Sequence, residues 1–260
     1  MRASRRLKFS ILTFLPLVLP GMAAAQQPGD PLAPETIAAP DAAAEAAPAA
    51  PPAAPLVYLC DRSGRLGTLN LTTKAVKVIG NLGVVLTDIA FAPNGTLYGL
   101  SFTTFYRVDK TTGRATRIGS LGVNGLNALG FSKSGKAIAA SYRQTGFFTI
   151  NLATGRATAT GSNGGYLSAG DLTYGGDHLY FSTSNGLLID YNLTIRSRVA
   201  HPDHIANLYG LVVPAVGQLY GVAGTTLYRI NPATGAGTAV TSFNGKGLAQ
   251  IYGAALQKLL

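Results

Sequence analysis

Short apolar stretches separated by turn-forming residues fill residues 56–260, and their order recurs at a regular interval. Each unit contains an apolar strand, an Asp or Asn, a turn ending near Thr-Gly, and a strand rich in Thr or basic residues. The Asp or Asn positions lie 39 to 42 residues apart, at Asn70, Asp109, Asn151, Asn192 and Asn231. Self-similarity at this interval is typical of a fold built from repeated supersecondary units.

A second pattern precedes the first and consists of a strand, a glycine-containing turn and another strand. It occurs at residues 86–100, 126–140, 169–182 and 208–222. Its apolar residues are nearly continuous and rich in Ile, Val, Leu, Tyr and Phe, which favours strands covered on both faces. Together the two patterns supply four short strands in about 40 residues, the content of one β-propeller blade.

The two ends of the repeat region complement each other. The first unit begins at Leu56 with a match to the second strand of the other units, so it lacks a first strand. Residues 251–256 (IYGAAL) resemble residues 208–213 (LYGLVV), which form a first strand. We therefore predict an all-β fold, a five-bladed β-propeller, in which a C-terminal strand completes the first blade and leaves no open end.

The recurring Asp or Asn has a local structural explanation. Its side chain accepts a hydrogen bond from the backbone two residues on and so forms a tight turn. Gly113, Gly155 and Gly235 follow in three of the copies and tolerate a positive φ. Lys74 and Arg196 stand at the same place in the other two copies, so we expect those two turns to differ in type.

The repeat pattern L-Y-x-[IV]-[DN]-x-x-T-G-x-x-T is present at residues 227–238 and approximately at residues 105–116. It resembles the repeats of secreted bacterial β-propellers, many of which have no assigned activity. The resemblance covers the whole repeat region, but the shared residues are turn and core positions. It therefore implies a scaffold and supplies no function, because this architecture supports many unrelated ones.

The residues before the repeats predict export. Residues 1–25 have a basic start, a short apolar stretch and Ala23-Ala24-Ala25 before Gln26, which is the pattern of a cleaved signal peptide; an uncleaved anchor is the alternative. Residues 26–55 are rich in Ala and Pro and predict a disordered linker. We expect a periplasmic or extracellular protein without a membrane span after cleavage, with residues 56–260 as its one folded domain.

The composition of that domain is basic and contains one cysteine. Of the 21 Lys and Arg and 11 acidic residues in the chain, 17 and 7 fall in the domain, and all seven acids are aspartates. Basic residues recur near the predicted outermost strands, where they block edge pairing or attract an anionic partner. Their spread around the ring argues against specific nucleic-acid binding. Cys60 lies in an apolar stretch, and we expect a small buried side chain there.

Two aspartates are the first candidate ligand-binding residues. Asp88 and Asp171 occupy equivalent places in the first strands of blades 2 and 4, where the other blades have Ala128, Gly210 and Gly253. Two carboxylates near one mouth of the central channel are able to bind a cation or a substrate. The alternative is that each carboxylate accepts hydrogen bonds from nearby backbone amides.

Loops on the same rim supply the other candidates. His201, Asp203 and His204 combine two imidazoles and a carboxylate, which suits a divalent metal such as zinc, although a fourth ligand is not visible and a solvated loop explains them equally. Three asparagines in these loops have two interpretations: they form a polar, ligand-binding rim, or, more simply, they stabilise the turns of the loops. These asparagines are Asn124, Asn163 and Asn244.

We therefore expect an exported, non-catalytic binding or interaction module with its ligand at the loop-bearing rim of the channel. The partner class stays open between a small ligand, a protein and an anionic polysaccharide, and we expect a monomer. One alternative is a metal-assisted hydrolase or lyase on the same rim, for which a divalent metal is the one cofactor the residues suggest. A second alternative is electrostatic binding to an anionic envelope polymer.

Overall fold

The computed structural model describes residues 55–202 and 205–257. The predicted signal peptide, nearly all of the predicted linker, Asp203 and His204 lie outside these residues. The described residues form twenty β-strands. In chain order they are β1 (Leu56–Asp61), β2 (Arg65–Asn70), β3 (Val76–Asn81), β4 (Asp88–Phe91), β5 (Leu97–Leu100), β6 (Thr104–Val108), β7 (Ala115–Ser120), β8 (Leu126–Phe131), β9 (Ala137–Ser141), β10 (Phe147–Ile150), β11 (Ala157–Gly161), β12 (Ser168–Gly175), β13 (His178–Thr183), β14 (Leu187–Asn192), β15 (Ser197–Pro202), β16 (Leu208–Ala215), β17 (Gln218–Ala223), β18 (Thr226–Ile230), β19 (Gly237–Ser242) and β20 (Ile251–Gln257).

The strands form five four-stranded antiparallel sheets, one for each predicted blade. From the innermost strand outward, the sheets are β20-β1-β2-β3, β4-β5-β6-β7, β8-β9-β10-β11, β12-β13-β14-β15 and β16-β17-β18-β19. The innermost strands contact one another in the order β20, β4, β8, β12, β16 and back to β20. The prediction of a five-bladed β-propeller is confirmed. No helix in the described part of the chain is long and apolar enough to cross a membrane.

The ring closes as the sequence predicted, because the last strand joins the first blade. Strand β20 pairs antiparallel with β1, and the register places Tyr58 opposite Ala255 and Cys60 opposite Gly253. Asp61, at the end of β1, is fully buried and accepts a hydrogen bond from the amide of Ala249 (2.8 Å). The two ends of the propeller domain are therefore tied by a backbone ladder and by one buried carboxylate.

The turn between the third and fourth strands has the same conformation in every blade. Side-chain oxygens such as Asn70 Oδ1 and Asp109 Oδ1 accept amide hydrogen bonds from the turn. Lys74 (φ 62°) and Arg196 (φ 53°) adopt the left-handed conformation that Gly113 adopts (φ 80°). The prediction of a different turn type at these two residues was wrong, because a non-glycine residue accepts this conformation at a modest cost.

Packing against the preceding blade explains why three of the turns contain glycine. A Cβ on Gly113 would lie 3.0 Å from the carbonyl carbon of Gly80, which belongs to the outermost strand of the blade before. A Cβ on Gly235 would lie 2.5 Å from the carbonyl oxygen of Pro202. Lys74 is half-buried and Arg196 is exposed, so those two turns have room for a side chain.

Apolar side chains fill the space between neighbouring blades. Phe105, Phe181 and Phe243 are among the largest fully buried side chains. Cys60 is also buried, as expected, and its thiol lies 3.9 Å from the carbonyl oxygen of Leu86. Burial raises the pKa of the Cys60 thiol well above its ordinary value, so the group stays protonated and inert at neutral pH.

Candidate functional site

A cavity of about 850 Å³ opens at one end of the central channel. Its lining includes one residue at the start of the innermost strand of every blade: Thr87, Asn127, Gly170, Tyr209 and Tyr252. Loops between second and third strands, and residues 205–207 between β15 and β16, complete the wall. We call this space the mouth cavity. Its volume lies within the roughly 300–1,000 Å³ typical of small-molecule sites.

Aromatic rings form much of the apolar wall of the mouth cavity. Tyr209 and Tyr252, from neighbouring blades, pack edge to face with ring centres 6.2 Å apart. Phe102 and Tyr142, from another pair of neighbouring blades, pack in the same way at 5.2 Å. Phe102 is 45% exposed, so much of its ring is open at the mouth cavity.

Local contacts hold Tyr209 in place at this wall. Its hydroxyl donates a hydrogen bond to Oδ1 of Asn207 (2.8 Å), and Asn207 is itself in the left-handed conformation (φ 61°). Gly170 makes room for the ring, because a Cβ there would lie 3.0 Å from Cα and Cδ1 of Tyr209. Asparagine adopts this conformation more readily than most non-glycine residues, so the loop holds Asn207 and the Tyr209 ring without much strain.

Two buried polar atoms of the lining have no hydrogen-bond partner among the described residues: Asn127 Oδ1 and Ser168 Oγ. Asn127 is 7% exposed and Ser168 is 1% exposed. The Nδ2 group of Asn127 donates to the carbonyl oxygen of Ala169 (3.1 Å), which determines that Oδ1 is the atom left over. Both atoms have almost no accessible surface, so in this conformation neither is open to a ligand in the cavity.

Asp88 and Asp171 lie one residue further along their strands, beneath the mouth cavity and outside its lining. They are 0% and 1% exposed and lie close enough near the axis for the charge of Asp171 to raise the pKa of Asp88. A Cβ on Gly253 would lie 2.4 Å from Oδ1 of Asp88, so this glycine is needed to admit the carboxyl group. We call Asp88 and Asp171 the carboxyl pair.

Backbone amides of three blades surround the carboxyl pair. Asp88 accepts hydrogen bonds from the amides of Ile89 (2.7 Å) and Leu129 (2.6 Å), and Asp171 accepts one from the amide of Leu211 (2.5 Å). Leu129 and Leu211 each belong to the next blade around the ring. The pair therefore links innermost strands across blade boundaries. The Ile89 amide is a neighbour of the kind that the amide-bonding alternative described, and the other two amides come from adjacent blades.

Burial raises the pKa of both carboxyl groups well above the ordinary value of 3.8, and the charge of Asp171 raises the pKa of Asp88 further. The amide hydrogen bonds oppose these effects in part. Two carboxylates in contact cannot both ionise easily, so the pair retains a proton and titrates as one unit.

The three asparagines predicted at the rim have other surroundings. Asn163 is fully buried, with Oδ1 accepting from the amide of Gly146 (2.8 Å) and Nδ2 donating to the carbonyl oxygen of Tyr166 (2.7 Å). Asn124 and Asn244 are exposed and do not belong to the lining of the mouth cavity. Asn163 therefore shapes its loop, and the other two face solvent.

His201 is separated from the carboxyl pair by the width of its blade. It lies in β15, the outermost strand, whereas Asp171 lies in β12, the innermost strand of the same sheet. Three strand spacings correspond to roughly 14 Å. Asp203 and His204 lie outside the described residues, and within the described ranges no three His, Cys, Asp or Glu side chains form a group that could hold a metal ion.

Sequence reasoning missed the residues that line the mouth cavity. The alignment that relates Asp88 to Asp171 also aligns the residues before them, Thr87 and Gly170, with Asn127, Tyr209 and Tyr252. At this aligned position some blades have bulky or polar residues and another blade has glycine. That variation was the sequence signal available for the residues that line the cavity. Ser168 and Phe102 have no such signal, because only the folded ring brings them to the mouth.

Comparisons with known proteins show the fold. No family model matches the chain, and no curated protein matches it. A chain in the crystal structure of a nidogen/laminin complex is similar, with a TM-score of 0.56 and 12% identity over 78% of this chain and 98% of that chain. The WD40 repeats of RRP9 give a TM-score of 0.45 and 9% identity, over 75% of this chain and 64% of that one. At 12% identity, the likeness to the nidogen/laminin chain shows the β-propeller fold and nothing about activity.

Proposed function

We propose that this protein is an exported, non-catalytic binding module that holds a small ligand in the mouth cavity. The observation that carries the proposal is the mouth cavity itself, about 850 Å³ in volume, whose described lining combines aromatic rings with uncharged polar residues. A cavity with an apolar wall and a few convergent polar groups is the usual form of a ligand site.

A structural role explains the carboxyl pair better than catalysis does. A general acid or base must reach the substrate within hydrogen-bond distance, directly or through one water. Asp88 and Asp171 are buried, and their oxygen atoms accept amide hydrogen bonds inside the ring. We therefore assign them to blade assembly, and a turnover that disappears in Asp88→Asn or Asp171→Asn would contradict this assignment.

The N-terminal sequence supports the exported location in this proposal. Residues 1–25 have the pattern of a signal peptide, and residues 26–55 have the Ala- and Pro-rich composition of a spacer. Such a spacer would hold a periplasmic or extracellular module away from a surface or a neighbouring molecule. Mass spectrometry of the mature protein tests the cleavage after Ala25.

Amide chemical-shift mapping tests the ligand site. The ¹⁵N-labelled mature protein is titrated with a library of small neutral compounds, and we expect the first shifts at the amides around Asn127, Ser168 and Tyr252. Phe102→Ala should weaken any hit, because Phe102 is an exposed ring of the cavity wall. Val216→Ala is the matched control, since Val216 is 81% exposed on the opposite rim. Hits that map elsewhere would remove the proposal.

Electrostatic attachment to an anionic polymer is a second candidate function, supported by how the fold distributes charge. Three of the six described aspartates are fully buried, namely Asp61, Asp88 and Asp171. The described Lys and Arg residues are all exposed or half-buried. The surface is therefore more basic than the composition suggests. We expect retention on a polygalacturonate column that is lost between low and physiological salt, and no retention at low salt would exclude this function.

A further inference from the structure

We infer that an anionic polymer binds this protein at an open pocket beside the seam between blades 3 and 4, through the guanidinium groups of Arg196 and Arg198. This inference rests on the second candidate function, since it names the site and the chemical group for the same attachment. Three observations carry it: this seam is open where equivalent seams are closed, two guanidinium groups line the pocket, and one of them is held in place by its surroundings.

The seam between blades 3 and 4 is open at the outermost strand of blade 3. In the two preceding seams, a glycine of that strand contacts the next blade. A Cβ on Gly80 would lie 2.1 Å from the carbonyl oxygen of Thr112, and a Cβ on the equivalent Gly119 would lie 1.9 Å from the next turn. Gly161 is the equivalent glycine of blade 3, and a Cβ there would have no atom within 4 Å. The turn of blade 4 therefore lies away from β11 and leaves space at the surface.

An open pocket of about 560 Å³ lies on blade 4 at this seam. It is lined by Tyr191, Asn192, Leu193, Arg196, Ser197 and Arg198. The ring of Tyr191 packs edge to face with Phe147 of β10, with ring centres 5.6 Å apart, so this part of the lining faces blade 3. We call this space the seam pocket.

The seam pocket is positively charged among the described residues. Arg196 and Arg198 are exposed, and neither forms an ion pair within the part of the chain that the structure describes. Asp177 and Asp190 of the same blade lie outside the lining, and Asp190 is bonded to Nδ1 of His178 (2.6 Å). A guanidinium group matches the paired oxygen atoms of a carboxylate or phosphate group, so the pocket suits either of these oxyanions.

The loop that joins blade 3 to blade 4 holds the guanidinium group of Arg198 in position. Cζ of Arg198 lies over the ring of Tyr166, 5.4 Å from its centre. A Cβ on Gly164 would lie 1.7 Å from Nη1 of Arg198, so this glycine is needed to admit the group. Asn163 fixes the loop through its two side-chain hydrogen bonds. A guanidinium group that is already positioned loses less conformational freedom when it binds an anion.

Arg196 supplies a second guanidinium group at a place where the other turns have none. Three of the equivalent turns have glycine there, and the fourth has Lys74. The ammonium group of Lys74 donates a hydrogen bond to the carbonyl oxygen of Leu71 in its own turn. Blade 4 therefore combines an open seam with two arginines, and this combination gives the anionic polymer a defined place to bind.

Isothermal titration calorimetry of the mature protein with short oligoanions tests the seam pocket. The probes are trigalacturonate, which carries carboxylates, its neutral methyl ester, tripolyphosphate and inorganic phosphate. At low salt we expect an oligoanion to bind with a Kd at least about tenfold lower than the Kd of the methyl ester and of inorganic phosphate. The oligoanion that binds more tightly identifies the oxyanion as a carboxylate or a phosphate.

A double variant, Arg196→Gln/Arg198→Gln, should raise the Kd of that oligoanion by about tenfold or more, because charge-assisted hydrogen bonds are lost. Arg114→Gln/Arg117→Gln is the matched control, because it removes two exposed charges from the equivalent turn and outermost strand of blade 2, where the seam is closed. The control should raise the Kd by less than about threefold. All four arginines are exposed, so the melting temperatures should stay nearly unchanged.

Arg198→Lys separates the shape of the guanidinium group from its charge. Lysine keeps the positive charge but lacks the planar pair of donors, so this variant should bind the oligoanion more weakly than the wild type does. Full affinity in Arg198→Lys would overturn paired recognition of the oxyanion.

The remaining outcomes distinguish the site from the candidate function. Equal losses in the two double variants, or retention on polygalacturonate without binding of either oligoanion, would overturn the seam pocket and leave attachment by the whole basic surface standing. Inorganic phosphate that binds as tightly as tripolyphosphate would overturn the assignment to a polymer. A protein that binds no oligoanion and is not retained on polygalacturonate would remove the seam pocket together with the second candidate function.

Discussion

The carboxyl pair should make the propeller less stable as the pH rises from about 4 to 8. Asp88 and Asp171 have pKa values raised by burial, so the folded protein keeps a proton that the unfolded chain has released above its ordinary pKa of 3.8. Because the folded state then binds more protons than the unfolded state, the free energy of unfolding falls with rising pH. The stabilising contribution of the pair is fully present below pH 3.8. It is lost as the pH rises through the pKa that the pair has in the folded protein.

The order of magnitude of the effect follows from the repulsion between two neighbouring charges. Two unit charges about 4 Å apart at an effective dielectric constant of about 20 repel each other by roughly 4 kcal/mol. The amides of Ile89, Leu129 and Leu211 offset part of this repulsion. We expect the pair to change the free energy of unfolding by about 3 kcal/mol between pH 4 and pH 8. In a domain of this size that corresponds to roughly 6 to 12 °C in Tm.

Urea unfolding at constant ionic strength, followed by circular dichroism from pH 4 to pH 8, measures this effect. Asp88→Asn and Asp171→Asn each remove one of the two charges, so each should flatten the pH profile relative to the wild type. The loss of an amide hydrogen bond lowers the whole profile of a variant and does not change its slope. The neighbouring Cys60 stays protonated over this range, because burial raises its thiol pKa.

Asp109→Asn is the matched control for the loss of one carboxylate. Asp109 lies in an exposed turn, where amide hydrogen bonds from Thr111 and Thr112 lower its pKa. Its contribution to stability is therefore lost as the pH falls, opposite in sign to that of the pair. The equivalent turns contain Asn, so this variant keeps the turn. If the wild type and both pair variants gave parallel profiles of unfolding free energy against pH, the claim that the folded pair retains a proton would be refuted.

Two further predictions concern how the blades and the ring are joined. Gly119→Ala should lower the free energy of unfolding by about 3 kcal/mol in urea titrations, because its Cβ would lie 1.9 Å from the carbonyl oxygen of Thr154. Gly161 occupies the equivalent place in the next blade, and a Cβ there would have no atom within 4 Å, so Gly161→Ala should change the free energy of unfolding by far less. Equal effects of the two substitutions would contradict this account. Asp61→Ala should cost about 3 kcal/mol and speed exchange of the β20 amides, because it leaves the amide of Ala249 unpaired; unchanged exchange would show that the strand ladder alone closes the ring.

The sequence alone determined the architecture of this protein. Blade number and strand order are properties of a regular repeat, and the unpaired strand pattern at Leu56 with its complement near Ile251 predicts the closure that the β1–β20 ladder shows. These features are local, because strand, turn and strand recur every 40 residues or so. The equivalence of Asp88 and Asp171 was also readable, since both occupy the same place in the repeat.

Only the tertiary structure decided what the residues at these equivalent repeat positions do. Equivalence in a repeat does not specify distance across the axis, and closure of the ring brought Asp88 and Asp171 together while leaving His201 on an outer strand. The structure also decided which asparagine is of interest: Asn163 is committed to its own loop, whereas Asn127 keeps an unpaired oxygen at the mouth. Hydrogen-bond pairing and burial depend on neighbours from other blades, and a repeat pattern does not contain that information.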